Sequence, residues 1–147
     1  MYTTLDVVYV EDDATDAQFF ERAIRKADPS CRVQRLTDGQ AAVDYIHDIA
    51  LNRDPLPKVL VLDIKLPKLR GFEVLRAIRE NPRTRYLPVV MLSSSTQQQD
   101  IDLAYDLGAN SYLNKPPKMK QLNEIVGTLV DFWVKSNRLP VGSSMAA

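Results

Sequence analysis

Short apolar runs alternate along the chain with segments of helical periodicity. Five runs have the length and composition of β-strands, at residues 5–10, 32–36, 58–62, 87–92 and 111–113. Two of them, 58–62 and 87–92, are almost continuously apolar, which is typical of strands buried on both faces of a parallel sheet. A segment with apolar residues at helical spacing follows each run, so the pattern predicts five strand-helix pairs.

The predicted helices end at helix-breaking residues. The first spans residues 14–27 and stops at Asp28-Pro29, the third ends before Asn81-Pro82, Gly108 closes the fourth, and the fifth starts near Met119. Five such alternations imply a parallel sheet covered on both faces by right-handed crossovers. We expect the α/β flavodoxin-like, doubly wound (βα)5 fold with strand order 2-1-3-4-5, in which strands one and three flank the switch point.

Length and charge limit the classes of protein. The chain has 147 residues and is 45% hydrophobic, which is too short for a catalytic domain plus a separate output domain. We expect one domain over residues 1–147, with a core at about 5–135 and a tail at 136–147. Lysine plus arginine and aspartate plus glutamate number 19 each, so the net charge gives no electrostatic case for binding nucleic acid or an anionic membrane.

Cysteine usage and the amino terminus favour the cytoplasm. Cys31 is the single cysteine, which excludes an intrachain disulfide, and no basic-then-apolar leader is present at the start of the sequence. No apolar run approaches the roughly 20 residues that a membrane-spanning helix needs. We therefore expect a cytoplasmic protein that does not insert into a membrane.

Polar side chains follow four of the predicted strands. Glu11 and Asp12 come directly after the first strand and Asp63 after the third, while Ser93 ends the fourth and Lys115 follows the fifth. Because parallel strands end at the same edge of a sheet, three carboxylates, a hydroxyl and an ammonium are expected to converge there. A carboxylate at such an edge can attack phosphorus to form an aspartyl phosphate, with a divalent cation to neutralise charge. The pattern predicts a phosphoryl-accepting carboxylate beside Mg²⁺.

The acidic residues are expected to divide the metal ligation between them. Mg²⁺ prefers oxygen ligands and keeps several waters, so we expect Asp12 to bind directly, Glu11 to hold a metal-bound water, and the main-chain carbonyl of Lys65 to complete the set with Asp63. Asp13 is expected at the turn and helix start. The alternative for the first cluster is a set of acids that favours a helix amino terminus, and Asp63 alone could be a loop residue. Like carboxylates at close range repel unless a cation or proton lies between them, so their joint placement favours the metal site.

Ser93 and Lys115 have less specific alternatives. In isolation Ser93 would be part of a polar turn and Lys115 a solvated side chain. Their positions after strands favour a hydroxyl that donates to a phosphoryl oxygen and an ammonium that neutralises the transferred group. The bond from Lys115 to Pro116 is a candidate cis peptide, which would fix the loop that aims the ammonium.

A set of ordered motifs resembles the receiver domains of bacterial two-component response regulators, over residues 5 to about 134. The motifs are Val10-Glu11-Asp12, Leu62-Asp63 followed by Pro67 and Gly71, residues 87–94, and Gly108-Ala109 through Tyr112 to Lys115-Pro116. The resemblance implies the following roles: phosphoacceptor Asp63, acidic pair Glu11 and Asp12, conformational hydroxyl Ser93, rotameric switch Tyr112, and phosphate-contacting Lys115. Lys65 and Ser95 occupy positions that tune dephosphorylation in this family, and Arg70 stands where an acid is frequent.

The same resemblance implies a route from phosphate to surface. A phosphoryl group at Asp63 is expected to draw the Ser93 hydroxyl towards it and to let Tyr112 turn inward, which is a two-state population shift. The surface affected comprises the fourth helix, fifth strand and fifth helix. The alternative for Tyr112 is a half-buried aromatic on a short edge strand.

The last helix is apolar over a wider arc than contact with a sheet requires. At about 100° per residue, the apolar side chains between residues 122 and 134 cover roughly 200°, against a stripe of about 100° that caps one sheet. We expect an isologous homodimer through this C-terminal helix region. The alternative is that the segment Leu139-Pro140-Val141 folds over the apolar surface.

The phosphoryl donor is expected to be another molecule. His47, the single histidine, lies on the second helix and is expected to be solvated. The connection before Lys58 and the ending near Leu139-Pro140 resemble single-domain receivers that are paired with phytochrome-type histidine kinases. We therefore expect a sensor histidine kinase as partner, or a small phosphoryl donor.

Other classes of protein share parts of the pattern. A Mg²⁺-dependent aspartyl-phosphate hydrolase would usually carry a second acid two residues after its nucleophile, where this chain has Lys65. A flavodoxin-like FMN carrier would need a Ser/Thr- and Gly-rich phosphate cradle after the first strand, where residues 11–13 are acidic and would repel the phosphate. A degenerate receiver that acts as a scaffold is disfavoured because each site position holds a competent residue.

Overall fold

The computed structural model describes residues 4–140. The strands are β1 (Val7–Val10), β2 (Val33–Leu36), β3 (Val59–Leu62), β4 (Val89–Ser93) and β5 (Ser111–Asn114). The helices are α1 (Ala14–Ala27), α2 (Gly39–Asn52), α3 (Gly71–Glu80), α4 (Gln98–Asp106) and α5 (Met119–Leu129), and α5 continues into a π-helical segment, Val130–Ser136. All strand pairs are parallel, and the order β2-β1-β3-β4-β5 confirms the predicted doubly wound α/β fold.

Helices cover the sheet on both faces. Helices α1 and α5 pack on one face, where Tyr9, Phe20 and Val126 belong to one buried cluster. Helices α2, α3 and α4 pack on the other face, where Val10 and Ile46 belong to a second buried cluster. Successive residues of a strand point to opposite faces, and β1, β3 and β4 are buried at every position. The two covered faces therefore explain the apolar runs in the sequence.

Aspartate caps fix where two of the helices begin. The Asp13 carboxylate accepts a hydrogen bond from Asp16 N at 2.8 Å, and the Asp38 carboxylate accepts one from Ala41 N at 2.7 Å. Caps of this type stabilise a helix by about 1 kcal/mol. The predicted place of Asp13 at a helix start is confirmed.

The C-terminal helix differs from the prediction in its last part. Residues Val130–Ser136 are π-helical, and Asn137 N donates to Phe132 O, five residues back, at 2.6 Å. Because this bonding pattern widens each turn, the predicted arc, which assumed about 100° per residue, does not apply beyond Leu129. An apolar surface remains, since Phe132 is 52% exposed while Val134 is buried.

Of the predicted tail, the structure describes residues 136–140. Residue 136 still belongs to the helical segment, and residues 137–140 are irregular. The segment Leu139-Pro140-Val141 was the alternative cover for the apolar surface of the last helix. Val141, like the other residues of 141–147, lies outside the described residues. Within residues 4–140, no helix is both long enough and apolar enough to cross a membrane.

Candidate functional site

The strands bring three of the predicted site residues to one edge of the sheet. Val10, which ends β1, pairs with Leu62, which ends β3. Strands β4 and β5 lie next in order and run in the same direction. Glu11, Asp63 and Lys115 each follow one of these strands and are therefore neighbours in space.

The ammonium of Lys115 lies between two buried carboxylates. Its Nζ donates to Asp63 Oδ2 at 2.6 Å, to Glu11 Oε1, and to Asp16 Oδ2 at 3.2 Å. Glu11 and Asp63 are 1% and 6% exposed. Buried carboxylates at close range repel unless a cation or proton lies between them, and here the lysine supplies the positive charge.

Burial and charge pairing act against each other in the pKa values of this cluster. Burial raises the pKa of Glu11, and the hydrogen bond and charge of Lys115 offset that rise only in part. Burial disfavours the charged form of Lys115, but the hydrogen bonds and charges of Asp63 and Glu11 outweigh it and raise the pKa of the lysine. Lys115 is therefore a fixed positive charge at neutral pH.

Two further donors hold the carboxylate of Glu11. The hydroxyl of Tyr9 donates to Oε1 at 3.1 Å, and Asp13 N donates to Oε2 at 3.2 Å. The ring of Tyr9 stacks on Phe20 with centroids 3.9 Å apart. Burial and then the negative charge of Glu11 raise the pKa of Tyr9, so its hydroxyl remains protonated. Both oxygens of Glu11 are thus oriented by protein donors.

A glycine allows the loop after Asp63 to fold back on the strand. Ile64 N donates to Asp63 Oδ1 at 2.7 Å, and Gly71 N donates to Ile64 O at 2.9 Å. A Cβ at Gly71 would lie 2.0 Å from the main-chain oxygen of Asp63, so any larger residue would clash with backbone. This close approach sets the first turn of α3 against the end of β3.

Asp12 and Lys65 lie beside this cluster. Both are exposed, and they line an open cavity of about 410 Å³. In the part of the chain that the structure describes, no three His, Cys, Asp or Glu side chains are grouped so as to hold a metal ion. The structure therefore brings Glu11 and Asp63 together but leaves the Asp12 carboxylate in solvent. The ammonium of Lys115, and not the carboxylate of Asp12, therefore contacts the buried pair.

Hydrogen bonds in the loop after β4 connect Ser93 to Tyr112. Ser95 N donates to Ser93 Oγ at 3.2 Å, and the Tyr112 hydroxyl donates to Ser95 O at 2.8 Å. Asn114 Nδ2 donates to the same carbonyl at 2.7 Å. The hydroxyl of Ser95 donates to Asp100 Oδ2 at 2.7 Å. Strand β5 therefore holds this loop through the main chain of Ser95.

The expected cis bond between Lys115 and Pro116 is wrong, because every peptide bond between residues 4 and 140 is trans. Lys115 N donates to Ser93 O at 2.9 Å, which continues the pairing of β4 with β5 up to the proline. That pairing already carries the lysine to the sheet edge. The trans form, which X–Pro bonds favour by about 0.5–1 kcal/mol, is sufficient.

Three contacts of the site escaped sequence reasoning. Asp16 contacts Lys115 from the first turn of α1, Tyr9 contacts Glu11, and the guanidinium of Arg35 donates to main-chain oxygens after β1. Tyr9 offered a signal, because it carries the one polar tip in β1, whose other residues are valines. Asp16 and Arg35 are ordinary surface residues in the sequence, and their contacts depend on how neighbouring elements pack.

The chain belongs to the response regulator receiver domain family, which matches residues 7–127. The order of strands described above is that of this class, and phosphoacceptor signalling is its function.

Relatives cover nearly the whole chain. The probable methanogenesis regulatory protein FilR2 of Methanothrix harundinacea is 37% identical over 134 residues, which is 91% of this chain and 86% of FilR2. The response regulator Rcp1 of Synechocystis sp. is 31% identical over 135 residues, covering 91% of this chain and 92% of Rcp1.

Solved structures agree with this relationship. The Mn²⁺-bound form of Rcp1 superposes with a TM-score of 0.82 at 30% identity, covering 93% of this chain and 99% of that chain. The phosphorylated cyanobacterial phytochrome response regulator RcpA gives a TM-score of 0.85 at 32% identity, covering 94% and 99%. The chain is therefore similar to phytochrome-associated response regulators in both sequence and fold.

Proposed function

We propose that Asp63 accepts a phosphoryl group from the phosphohistidine of a sensor histidine kinase in the cytoplasm. The observation that carries the proposal is the contact of Lys115 Nζ with Asp63 Oδ2, at 2.6 Å, on the carboxyl edge of the sheet. An ammonium that stays charged at neutral pH, beside a carboxylate nucleophile, can neutralise the charge of the transferred group. The similarity to the phytochrome response regulator RcpA supports a kinase of the phytochrome type.

The transfer is a single displacement at phosphorus. One carboxylate oxygen of Asp63 attacks, the P–N bond of the donor breaks, and its electron pair remains on the imidazole, which takes up a proton. Both oxygens of Asp63 accept a hydrogen bond, Oδ1 from the main-chain N–H of Ile64 and Oδ2 from Lys115. We assign the attack to Oδ2, because the lysine side chain can move away from it whereas the main-chain donor cannot. Lys115 then exchanges its bond with Oδ2 for a bond to a phosphoryl oxygen.

The donor set fits a divalent metal, for which we propose Mg²⁺. Glu11, Asp12, Asp63 and the main-chain carbonyl of Lys65 supply only oxygen ligands, which hard cations prefer. The buried acids carry two negative charges against one ammonium, which leaves a deficit of positive charge. Asp12 is assigned as a direct ligand and Glu11 as the holder of a water. Bound Mg²⁺ supplies neutralisation of the phosphoryl oxygens, and the Mn²⁺-bound form of Rcp1 supports a divalent cation.

The signal is proposed to pass from Ser93 to Tyr112 through Ser95. A phosphoryl oxygen is a stronger acceptor than a neutral group, so the Ser93 hydroxyl turns towards it and loses its 3.2 Å bond from Ser95 N. Ser95 is also the residue whose carbonyl accepts the Tyr112 hydroxyl at 2.8 Å. Displacement of Ser95 therefore frees Tyr112 to turn inward, and the surface of α4, β5 and α5 changes.

Lys65 and Ser95 are proposed to set how long the phosphoryl group survives. Lys65 is exposed and lies two residues after Asp63, on the cavity that Asp12 also lines. The Ser95 hydroxyl is occupied by Asp100 at 2.7 Å. Replacement of either residue should change the rate of dephosphorylation more than the rate of phosphorylation.

A second copy of this chain is the proposed partner of the C-terminal face. A groove of about 430 Å³ lies between β5 and the last helix, lined in part by Leu113, Ile125 and Trp133. Phe132 packs edge-on against Trp133 with ring centroids 4.8 Å apart. The groove adjoins the strand that carries Tyr112. Two-fold pairing would remove these aromatic rings from water and couple assembly to the switch.

Sedimentation tests the dimer. Phe132→Glu should shift the wild-type dimer to monomer, whereas Leu51→Glu, at a side chain that is 82% exposed on α2, should leave the mass unchanged. A monomeric wild type, with and without a phosphoryl mimic, would exclude the dimer.

Phosphoryl labelling tests the function. Wild type incubated with phosphoramidate and Mg²⁺ should take up one phosphoryl group, while Asp63→Asn should take up none. Asp48→Asn is the matched control, because Asp48 is an exposed acid on α2. Equal labelling of the Asp63 variant, or uptake that does not depend on a divalent cation, would contradict the proposal. Steady turnover of phosphate esters would favour the hydrolase instead, and a bound flavin the FMN carrier.

A further inference from the structure

Arg35 reaches from the edge strand to the acidic segment after β1. Its Nε donates to Glu11 O at 2.9 Å, and its Nη2 donates to Asp12 O at 3.0 Å. Arg35 pairs with Tyr9 in the sheet register, so the guanidinium extends towards the carboxyl edge, past the end of β1. One side chain therefore binds the main chain of both members of the acidic pair.

Asp12 belongs to neither a strand nor a helix. Strand β1 ends at Val10 and helix α1 begins at Ala14. The last main-chain bond between β2 and this segment runs from Glu11 N to Leu36 O at 3.0 Å. Among residues 4–140, the bond from the guanidinium to Asp12 O is the hydrogen bond that ties Asp12 to the neighbouring strand β2.

The guanidinium of Arg35 binds main-chain carbonyl groups and not carboxylates. Among residues 4–140, none of the ion pairs includes Arg35, although acidic side chains lie on the same segment. The guanidinium presents its donors in a rigid fork that suits two adjacent acceptors, whereas a lysine ammonium is a compact charge on a flexible stem. Geometry, more than charge, therefore distinguishes arginine at this position.

We infer that Arg35 is a positioning residue, which holds the main chain of Glu11 and Asp12 so that their carboxylates are placed for a divalent cation beside Asp63. This inference rests on the proposed function. Groups that support metal ligands typically change affinity by 10–100-fold when they are removed. The positive charge of Arg35 acts in the opposite direction, because it repels a cation, so position and charge predict changes of opposite sign.

Binding of Mn²⁺, followed as free ion by electron paramagnetic resonance with the full chain, separates the two effects. The inference predicts that Arg35→Lys and Arg35→Gln both weaken Mn²⁺ binding by about tenfold. Arg25→Gln, which removes an exposed positive charge on α1, should bind as wild type does. Competition with Mg²⁺ should show the same order, and the amide resonances of Asp12 and Asp13 should shift in both Arg35 variants.

Two results would overturn the inference. Wild-type affinity in Arg35→Lys with equal or tighter binding in Arg35→Gln would assign the effect to charge alone. Unchanged affinity in both variants, with only a lower melting temperature, would assign Arg35 to stability. In either case wild type still binds the ion, so the proposed function stands. Absence of Mn²⁺ binding in wild type would instead remove the metal from the proposed function and the inference with it.

Discussion

Removal of the Lys115 ammonium should destabilise the protein through the carboxylates that it leaves behind. In Lys115→Met the apolar stem is kept and the charge is lost. Glu11 and Asp63, which are 1% and 6% exposed, would then face each other without a cation. Loss of one partner from a buried ion pair costs about 3–5 kcal/mol. Because the Lys115 side chain is 16% exposed, we expect the lower end of that range, about 3 kcal/mol, at pH 7 without divalent cations.

A double-mutant cycle measures this loss by urea unfolding in the presence of EDTA. In the Asp63→Asn background one of the two buried charges is already absent, so Lys115→Met should cost only about half as much. Lys120→Met, which removes an exposed ammonium on α5, is the control and should change stability by less than about 0.5 kcal/mol. A loss below about 0.5 kcal/mol for Lys115→Met, or an equal loss in both backgrounds, would refute the reasoning.

Three further predictions concern glycine and cysteine. Gly71→Ala should lower the free energy of unfolding by about 3 kcal/mol, because its Cβ would lie 2.0 Å from Asp63 O. Gly127→Ala should raise the free energy of unfolding by up to about 1 kcal/mol, because a Cβ there meets nothing within 4 Å and alanine is the better helix former. Urea unfolding distinguishes the two, and a stabilised Gly71 variant or a destabilised Gly127 variant would contradict the geometry. Burial raises the pKa of Cys31 to about 11. Thiol-disulfide exchange of Cys31 with Ellman's reagent at pH 8 should therefore be slower in the folded protein than in urea, by on the order of 10²-fold. The rate for the folded protein should still rise between pH 8 and pH 10. A native rate that levels off near pH 8.5 would contradict the burial.

The fold was predictable because the spacing of apolar residues and the residues at helix ends determine the strands and helices. The apolar runs that became β3 and β4 are buried on both faces, and a parallel sheet with two layers of helices is the arrangement that satisfies them. Helix ends followed local chemistry, as at the Asp13 cap. The π-helical end of the last helix, Val130–Ser136, was not predicted, because an α-helical period of about 100° per residue was assumed over the whole apolar segment.

The site was predictable only as far as strand ends determine it. Glu11, Asp63 and Lys115 met because each follows a strand of the same sheet. The contacts of Asp16 and Arg35 depend on helix and edge-strand packing, which no local pattern encodes. The cis bond predicted between Lys115 and Pro116 had little physical basis, since only about 5% of X–Pro bonds are cis, and the pairing of β5 with β4 already positions the lysine.

The most direct measurement is the location of the phosphoryl group after incubation of the full chain with a phosphorylated kinase fragment or phosphoramidate. Mass spectrometry of peptides, after reduction of the acyl phosphate with borohydride, should find the modification at Asp63 and at no other acid. Modification at Glu11, Asp12 or another carboxylate, with Asp63 unmodified, would contradict the assignment of the nucleophile to the carboxylate that Lys115 holds.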